Sequence, residues 1–297
     1  MPHNSWVGNL TQFGDKGVQV FFILSGFVIP YSLSSRPYVR SSAGRFLLRR
    51  FVRIQPAYVL AVLLCVFMYG FFIDRPDFLN PISFLANAFY VVPLTDFPWL
   101  LNVGWTLGVE AQFYLIIALA YPALTSEKPL IRRSSFIAFF AFCFCSPLLP
   151  SGVHPWYVLC MWTPFFGTGL LLFLFHVKHI SIKEFGAFLT ILLVVLFLEY
   201  TKLLTLITLS TALLILLFSR TTNKLPCLYL GKISYSLYLV HLPIITVIAL
   251  PLHESGFTNQ NPDITVLLLL AASVIAAIPF FHFVEKPSLA WSKKILS

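Results

Sequence analysis

Glu110 stands in an otherwise uncharged run, Asn102-Val-Gly-Trp-Thr-Leu-Gly-Val-Glu110-Ala-Gln-Phe-Tyr114. A carboxyl group there can exchange a proton with a bound hydroxyl or hold a hydrogen-bonded partner. If the run is helical, Thr106, Glu110 and Tyr114 share one face at i, i+4 spacing. A second group is basic: Arg45, Arg49 and Arg53 are four apart and would stack on one helix face, with Arg50 close to Arg53. Guanidinium forks suit bidentate phosphate recognition, while a row of arginines is also a topology signal or a contact to lipid headgroups. For Arg36 and Arg40 the latter is the reading; for Arg49, Arg50 and Arg53 both stay open. His241 lies in Gly231-Lys-Ile-Ser-Tyr-Ser-Leu-Tyr-Leu-Val-His241-Leu-Pro, deep within an apolar stretch, where a hydrogen-bonded structural role and a cavity-facing functional one are equally compatible. His176 and His179 have no carboxylate or thiol pattern around them, so no metal site is expected. His154, His253 and His282 read as loop or interface residues, and His3, in a polar tail, carries no signal by itself.

The elements that must hold these residues are set by composition. The 297 residues are 58% hydrophobic and only 10% charged, against about 45–50% and about 25% in a soluble domain. So little charge cannot cover a water-facing surface of this size. Long continuous apolar runs, rather than the roughly ten-residue alternating segments of a barrel, point to an all-α, polytopic membrane helix bundle. Nine spans are expected, at 17–35, 54–73, 105–124, 134–149, 156–176, 184–200, 203–219, 233–251 and 264–284. Segment 81–95, broken by Pro81 and Pro93, reads as a re-entrant or interfacial piece.

With 36–53 placed in the cytoplasm, alternation puts 125–133, 177–183, 220–232 and the tail from Glu285 on that side. All of the 20 Lys and Arg then lie there except Lys16, Arg75 and Lys202. This is the asymmetry of cytoplasmic loops, and it accounts for the net charge of +9 without nucleic-acid binding. It makes the C-terminus cytoplasmic and Met1 external. Glu110 then sits about five residues, or roughly 8 Å, below the outer surface. An acidic group near a span's centre costs about 2.5–3.5 kcal/mol and defaults to a functional hypothesis, the alternative being a protonated Glu bonded to a neighbouring helix. The five cysteines, without a C-x-x-C pair, read as small core residues rather than a disulfide or zinc framework. Nothing from Met1 to Asp15 resembles a signal peptide.

Five motifs occur in order: Val20-Phe-Phe-Ile-Leu-Ser-Gly-Phe27, Arg49-Arg-x-x-Arg53-Ile-x-Pro56, Trp105-Thr-Leu-x-x-Glu110-x-x-Phe-Tyr114, Gly231-Lys-Ile-Ser-Tyr-Ser-Leu-Tyr-Leu-Val-His241 and Phe283-Val-Glu-Lys-Pro287. Together they resemble the membrane acyltransferase-3 family, over about residues 14 to 287. That family O-acylates surface polysaccharides, peptidoglycan and some small molecules. The resemblance implies a ten-helix bundle with both ends cytoplasmic, whose first helix carries an Arg and, about eleven residues later, a catalytic His. His3 falls at the position of that His, and the Arg would precede Met1. The expectation is therefore a single membrane acyltransferase domain over 1–297, truncated at its N-terminus relative to the family and without a soluble extracytoplasmic domain.

The activity so implied is transfer of an acyl group, acetyl first, from cytoplasmic acyl-CoA to a hydroxyl of a glycan or lipid-linked glycan at the plasma (inner) membrane. Acyl-CoA is a donor substrate, no cofactor is held permanently, and the other partners are membrane lipids. Arg50 and Arg53, with Arg49, would hold the phosphates of acyl-CoA. His3 would act as general base, with Glu110 orienting it or sharing its proton. Ser25 is a candidate nucleophile or a small residue that lets helices pack closely. Tyr114 and His241 are further candidates. A different class, a proton-coupled transporter or flippase of a glycan or small molecule, would also use an intramembrane Glu, a His and a basic mouth. Such carriers have paired broken helices in two corresponding halves, and the sequence shows no such pair.

Overall fold

The computed structural model describes residues 14–35, 37–72, 79–149, 154, 157–219 and 228–295. His3 lies outside the described residues. Those residues are mostly helical, with no strand among them. The main helices are α1 (Gly17–Leu33), α2 (Ala43–Phe72), α3 (Pro81–Ala88), α4 (Gly104–Leu124), α5 (Pro129–Ala141), α6 (Thr163–His176), α7 (Ile182–Glu199), α8 (Lys202–Phe218), α9 (Leu228–Glu254), α10 (Pro262–Phe280) and α11 (Lys286–Lys294). Among the described residues six helical stretches are long and apolar enough to cross a membrane: Gly14–Leu33, Arg40–Gly70, Gly104–Leu124, Leu159–His176, Tyr229–Glu254 and Pro262–Lys294.

Three boundaries differ from the sequence-based expectation. The span expected at 54–73 lies on a helix that begins at Ala43 and runs through Pro56. Leu and Arg between Arg45 and Arg53 are good helix formers, and they carry the helix past a proline that reads as an entry signal. The segment expected at 134–149 is α-helical from Pro129, which occupies the first helical turn, to Ala141. Phe142–Leu148 then tightens into 3-10 geometry. In the same way Pro164 starts α6, and Leu159–Trp162 ahead of it is a 3-10 turn.

The chain divides into two compact units. In the first, Asp15–Leu47 with Val109–Asn223, α6 is the centre: every residue from Thr163 to Leu174 is buried. A helix apolar on all sides belongs inside a bundle, and α1, α5, α7 and α8 pack around it. Gly26 and Gly169 let α1 and α6 touch through their backbones: a Cβ on Gly169 would lie 2.7 Å from the carbonyl carbon of Gly26. The α7 N-terminus is closed by a capping box between Ser181 and Glu184, and Glu184 also pairs with Arg133 on α5 at 2.6 Å.

In the second unit, Met1–Gly14, Leu48–Gly108 and Lys224–Ser297, α9 packs against α10. Tyr58, Leu100, Leu101, Leu239 and Ala277 belong to one core there. The segment expected to be re-entrant or interfacial forms α3, capped by the Asn80 side chain on the Ile82 amide at 2.9 Å. Asn87 staples α3 to the loop leading into α4. Its amide donates to the carbonyls of Ser83 (2.9 Å) and Pro98 (3.0 Å), and its Oδ1 accepts from the Leu100 amide (2.9 Å). From α2, the Tyr58 hydroxyl donates to the Asn87 carbonyl at 3.1 Å, and the Gln55 amide to that of Ala88.

Candidate functional site

Glu110, on α4, is 7% exposed, and its Oε1 accepts a hydrogen bond of 2.9 Å from the hydroxyl of Ser25 on α1. Ser25, equally buried, precedes Gly26, so the close approach of α1 to α6 fixes the helix that carries the hydroxyl. The rings next to this pair in sequence are aromatic and stacked: Phe113 lies on Phe166 at 4.3 Å between centroids, and Phe22 on the same ring at 4.7 Å. Tyr114, one turn on from Glu110, is buried with its ring edge-on to Phe46 at 6.2 Å. Ser25 and Glu110 are 85 residues apart, and nothing in the sequence signalled the pairing.

The arginines lie on one continuous helix, α2, with Arg49 and Arg50 half-buried and Arg45 and Arg53 exposed. Beside Arg53 the structure gathers residues that sequence reasoning did not select. The Tyr235 hydroxyl donates to the carbonyl of Ile54 at 3.0 Å. Ser236 donates from its backbone amide (3.1 Å) and its hydroxyl (2.5 Å) to Oε2 of Glu285. Both Ser236 and Glu285 sit inside two of the five motifs, but a motif does not say which of its residues is buried.

His241 turns Nδ1 toward two carbonyls of its own helix, Tyr238 at 2.8 Å and Leu237 at 3.2 Å. Carbonyls only accept, so Nδ1 carries a proton, and Nε2 is the nitrogen left for another partner. The ring lines a cavity of about 530 Å³ between α9 and α10, with Ser234, Tyr238, Leu269 and Ser273 also on its wall. The Tyr238 hydroxyl donates to the carbonyl of Val103 at 3.1 Å and is also bonded to the Thr106 hydroxyl. Thr106, four residues before Glu110 on α4, is thereby bonded to α9. His176 lies edge-on to the rings of Phe27 and Tyr31, at 5.6 and 5.5 Å. Among the described residues no three His, Cys, Asp or Glu are placed to hold a metal ion.

The model of an acyltransferase domain, acyltransferase-3, matches residues 1–282. The chain belongs to that family. It is 25% identical over 338 aligned positions to a Bacillus subtilis (strain 168) protein named "Putative peptidoglycan O-acetyltransferase YrhL", an alignment covering 94% of this chain and 51% of the relative. Over 117 positions it is 30% identical to "Peptidoglycan O-acetyltransferase OatA" of Listeria monocytogenes serovar 1/2a, covering 35% of this chain and 19% of the relative. The chain thus spans about half the length of the first relative, and its alignment to the second covers about a fifth of that protein. No solved structure matches it.

Proposed function

We propose that this chain is the membrane part of an O-acyltransferase that moves an acetyl group from cytoplasmic acyl-CoA to a hydroxyl of a cell-surface glycan. The observation that carries the reading is the buried Ser25–Glu110 pair in a chain of acyltransferase sequence. A carboxyl group in an apolar bundle, held by a hydroxyl, is equipped to take or pass a proton. The names of the relatives support acetyl as the group and peptidoglycan as the class of acceptor. The protein would sit in the plasma (inner) membrane with its C-terminus in the cytoplasm.

In the reaction the acceptor oxygen attacks the thioester carbonyl while a base removes its proton. The C–S bond then breaks, the new C–O ester bond remains, and the sulfur leaves as the CoA thiol after taking up that proton. His3 would be the base, and Glu110 the group that orients it or shares the proton. The forks of Arg50 and Arg53, with Arg49, would hold the phosphates of the donor and fix the thioester in place. Ser25 donates to Glu110, which supports an orienting role for its hydroxyl; a covalent acyl-Ser25 would need that proton to leave first.

The test is reconstitution. Purified protein in vesicles, given labelled acetyl-CoA and a peptidoglycan fragment, should yield labelled ester that mild base releases. Absence of ester while unmodified glycan crosses the vesicle membrane would replace transfer with transport.

A further inference from the structure

The cavity between α9 and α10 has a lining that accepts hydrogen bonds and donates none. Its volume, about 530 Å³, is that of a small-molecule pocket. Most of its wall is aliphatic: Leu237, Ile245, Val266, Leu269 and Leu270. Every polar side-chain proton on that wall is already engaged. Ser273 donates to the carbonyl of Leu269 at 2.7 Å, and Ser234 to that of Gly231 at 2.9 Å. The hydroxyls of Tyr238 and its partner Thr106 have two protons between them, which go to the Val103 carbonyl and to their mutual bond. His241 donates from Nδ1 to the carbonyls of its own helix.

Nε2 of His241 is left over. Among the described residues nothing is bonded to it. No carboxylate lines the cavity to keep a second proton on the ring, so Nε2 presents a lone pair. His241 lies near the middle of the spanning stretch Tyr229–Glu254, where the bilayer offers such an atom no donor.

The ligand that fits is apolar over most of its length and carries a donor. Phosphate and carboxylate groups do not fit, because they only accept and bring a charge that nothing on this wall compensates. An amide brings a carbonyl that finds no donor here. An alcohol brings one O–H, which itself lacks an acceptor inside a bilayer. Entry is from the lipid: Leu270, on the wall, is 63% exposed on the outside of a spanning helix. From Ser234 to Ile245 the cavity extends about 16 Å along α9, enough for a hydrocarbon chain laid parallel to the helices.

We propose that this cavity binds a lipid alcohol, a hydrocarbon chain bearing one hydroxyl. The hydroxyl donates to Nε2 of His241, and the chain lies along Leu237, Ile245, Val266 and Leu269. The site is lined by α9 and α10 and uses neither the Ser25–Glu110 pair nor the arginines.

Hexadecanol carrying a diazirine in its chain is the probe, with the full chain in phosphatidylcholine nanodiscs and the crosslinks located by mass spectrometry. Labels should fall on α9 and α10. Plain hexadecanol should displace the probe at about tenfold lower concentration than hexadecyl methyl ether, which has the same chain and no O–H. Hexadecanoate should compete no better than the ether. His241→Asn keeps a donor near the place of Nδ1 and removes the acceptor at Nε2, so the alcohol should lose its tenfold advantage while the ether is unaffected. A merely structural His241 would change both competitors alike. His241→Gln carries an amide oxygen toward the place of Nε2 and should keep part of the preference. If His241→Asn folds poorly, the alcohol-to-ether ratio in the parental protein and in His241→Gln decides. Labels outside α9 and α10, equal displacement by alcohol and ether, hexadecanoate as strong as the alcohol, or a preference that survives in His241→Asn each overturn the proposal.

Discussion

The hydroxyl of Ser25 donates to Oε1 of Glu110 across 2.9 Å, in a part of the bundle where each residue is 7% exposed. The bond makes α1 and α4 partners in one chemical unit. Proton transfer depends on a carboxyl group that is held in position, and this bond joins it to a second helix.

Glu110→Gln should insert and fold, since the amide keeps the size and can still accept from Ser25. Acetyl transfer should fall by about 10²–10⁴-fold, the usual contribution of a general acid–base group. Ser25→Ala should cost about 10–150-fold, the loss of one hydrogen bond to a charged group. Transfer rates with membrane-inserted protein decide. Near-parental activity in Glu110→Gln would make the residue a packing element, and an acyl adduct on Ser25 found by mass spectrometry would make the serine a nucleophile.

Arg50→Ala should raise the KM for acetyl-CoA about tenfold with a smaller effect on kcat, and Arg50→Lys should recover only part, because a point charge does not reproduce the fork. Arg45, exposed near the start of α2, serves as the control: Arg45→Ala should leave KM within about twofold. Steady-state kinetics with varied acetyl-CoA separates them. Equal KM values in all three would assign the row to topology or headgroup contact.

The fold class was legible because composition and apolar run length are bulk properties, and Glu110 stood out as a candidate because charge in an apolar run is rare. The rest depended on what a single sequence does not display. Ser25 and Glu110 are 85 residues apart, and either could have faced any neighbouring helix. The span was expected from residue 54, but a packed bundle tolerates a proline within a helix, and α2 runs on from Ala43 through Pro56. Glu285 is buried by a π-helical turn, a change of hydrogen-bond register with no compositional signature.

His179 lies in the turn after α6, outside the spanning helices. Burial first, and then the Arg132 guanidinium, hold its imidazole below the usual 6.5, with Glu127 opposing. The unfolded chain therefore binds the proton more readily than the folded one. Stability is complete above about pH 6.5 and declines as pH falls below it. Thermal unfolding in detergent should show a lower Tm at pH 5.5 than at pH 7.5, and His179→Gln should reduce that difference. The same difference in both proteins would place the acid sensitivity elsewhere.

Gly169 and Gly26 are the point where α1 and α6 meet without side chains. A Cβ at Gly169 would lie 2.7 Å from both the carbonyl carbon of Gly26 and the amide nitrogen of Phe27, and a Cβ at Gly26 would lie 3.0 Å from Cα of Phe166. These obstacles are backbone, so they yield only if a helix moves. Gly167, two residues earlier on α6, is the natural contrast: a Cβ there meets only side-chain atoms, at 3.7 to 3.8 Å, which is ordinary contact. Gly169→Ala should therefore cost about 1–3 kcal/mol, as overpacking does, and push α1 outward. Because Ser25 is next to Gly26 on α1, the same movement should lengthen its bond to Glu110. Stability and transfer should then fall together in Gly169→Ala, while Gly167→Ala keeps both. Thermal unfolding and acetyl transfer measured on the two variants settle it: equal behaviour of the two alanines would mean that the backbone contact does not hold Ser25 on Glu110.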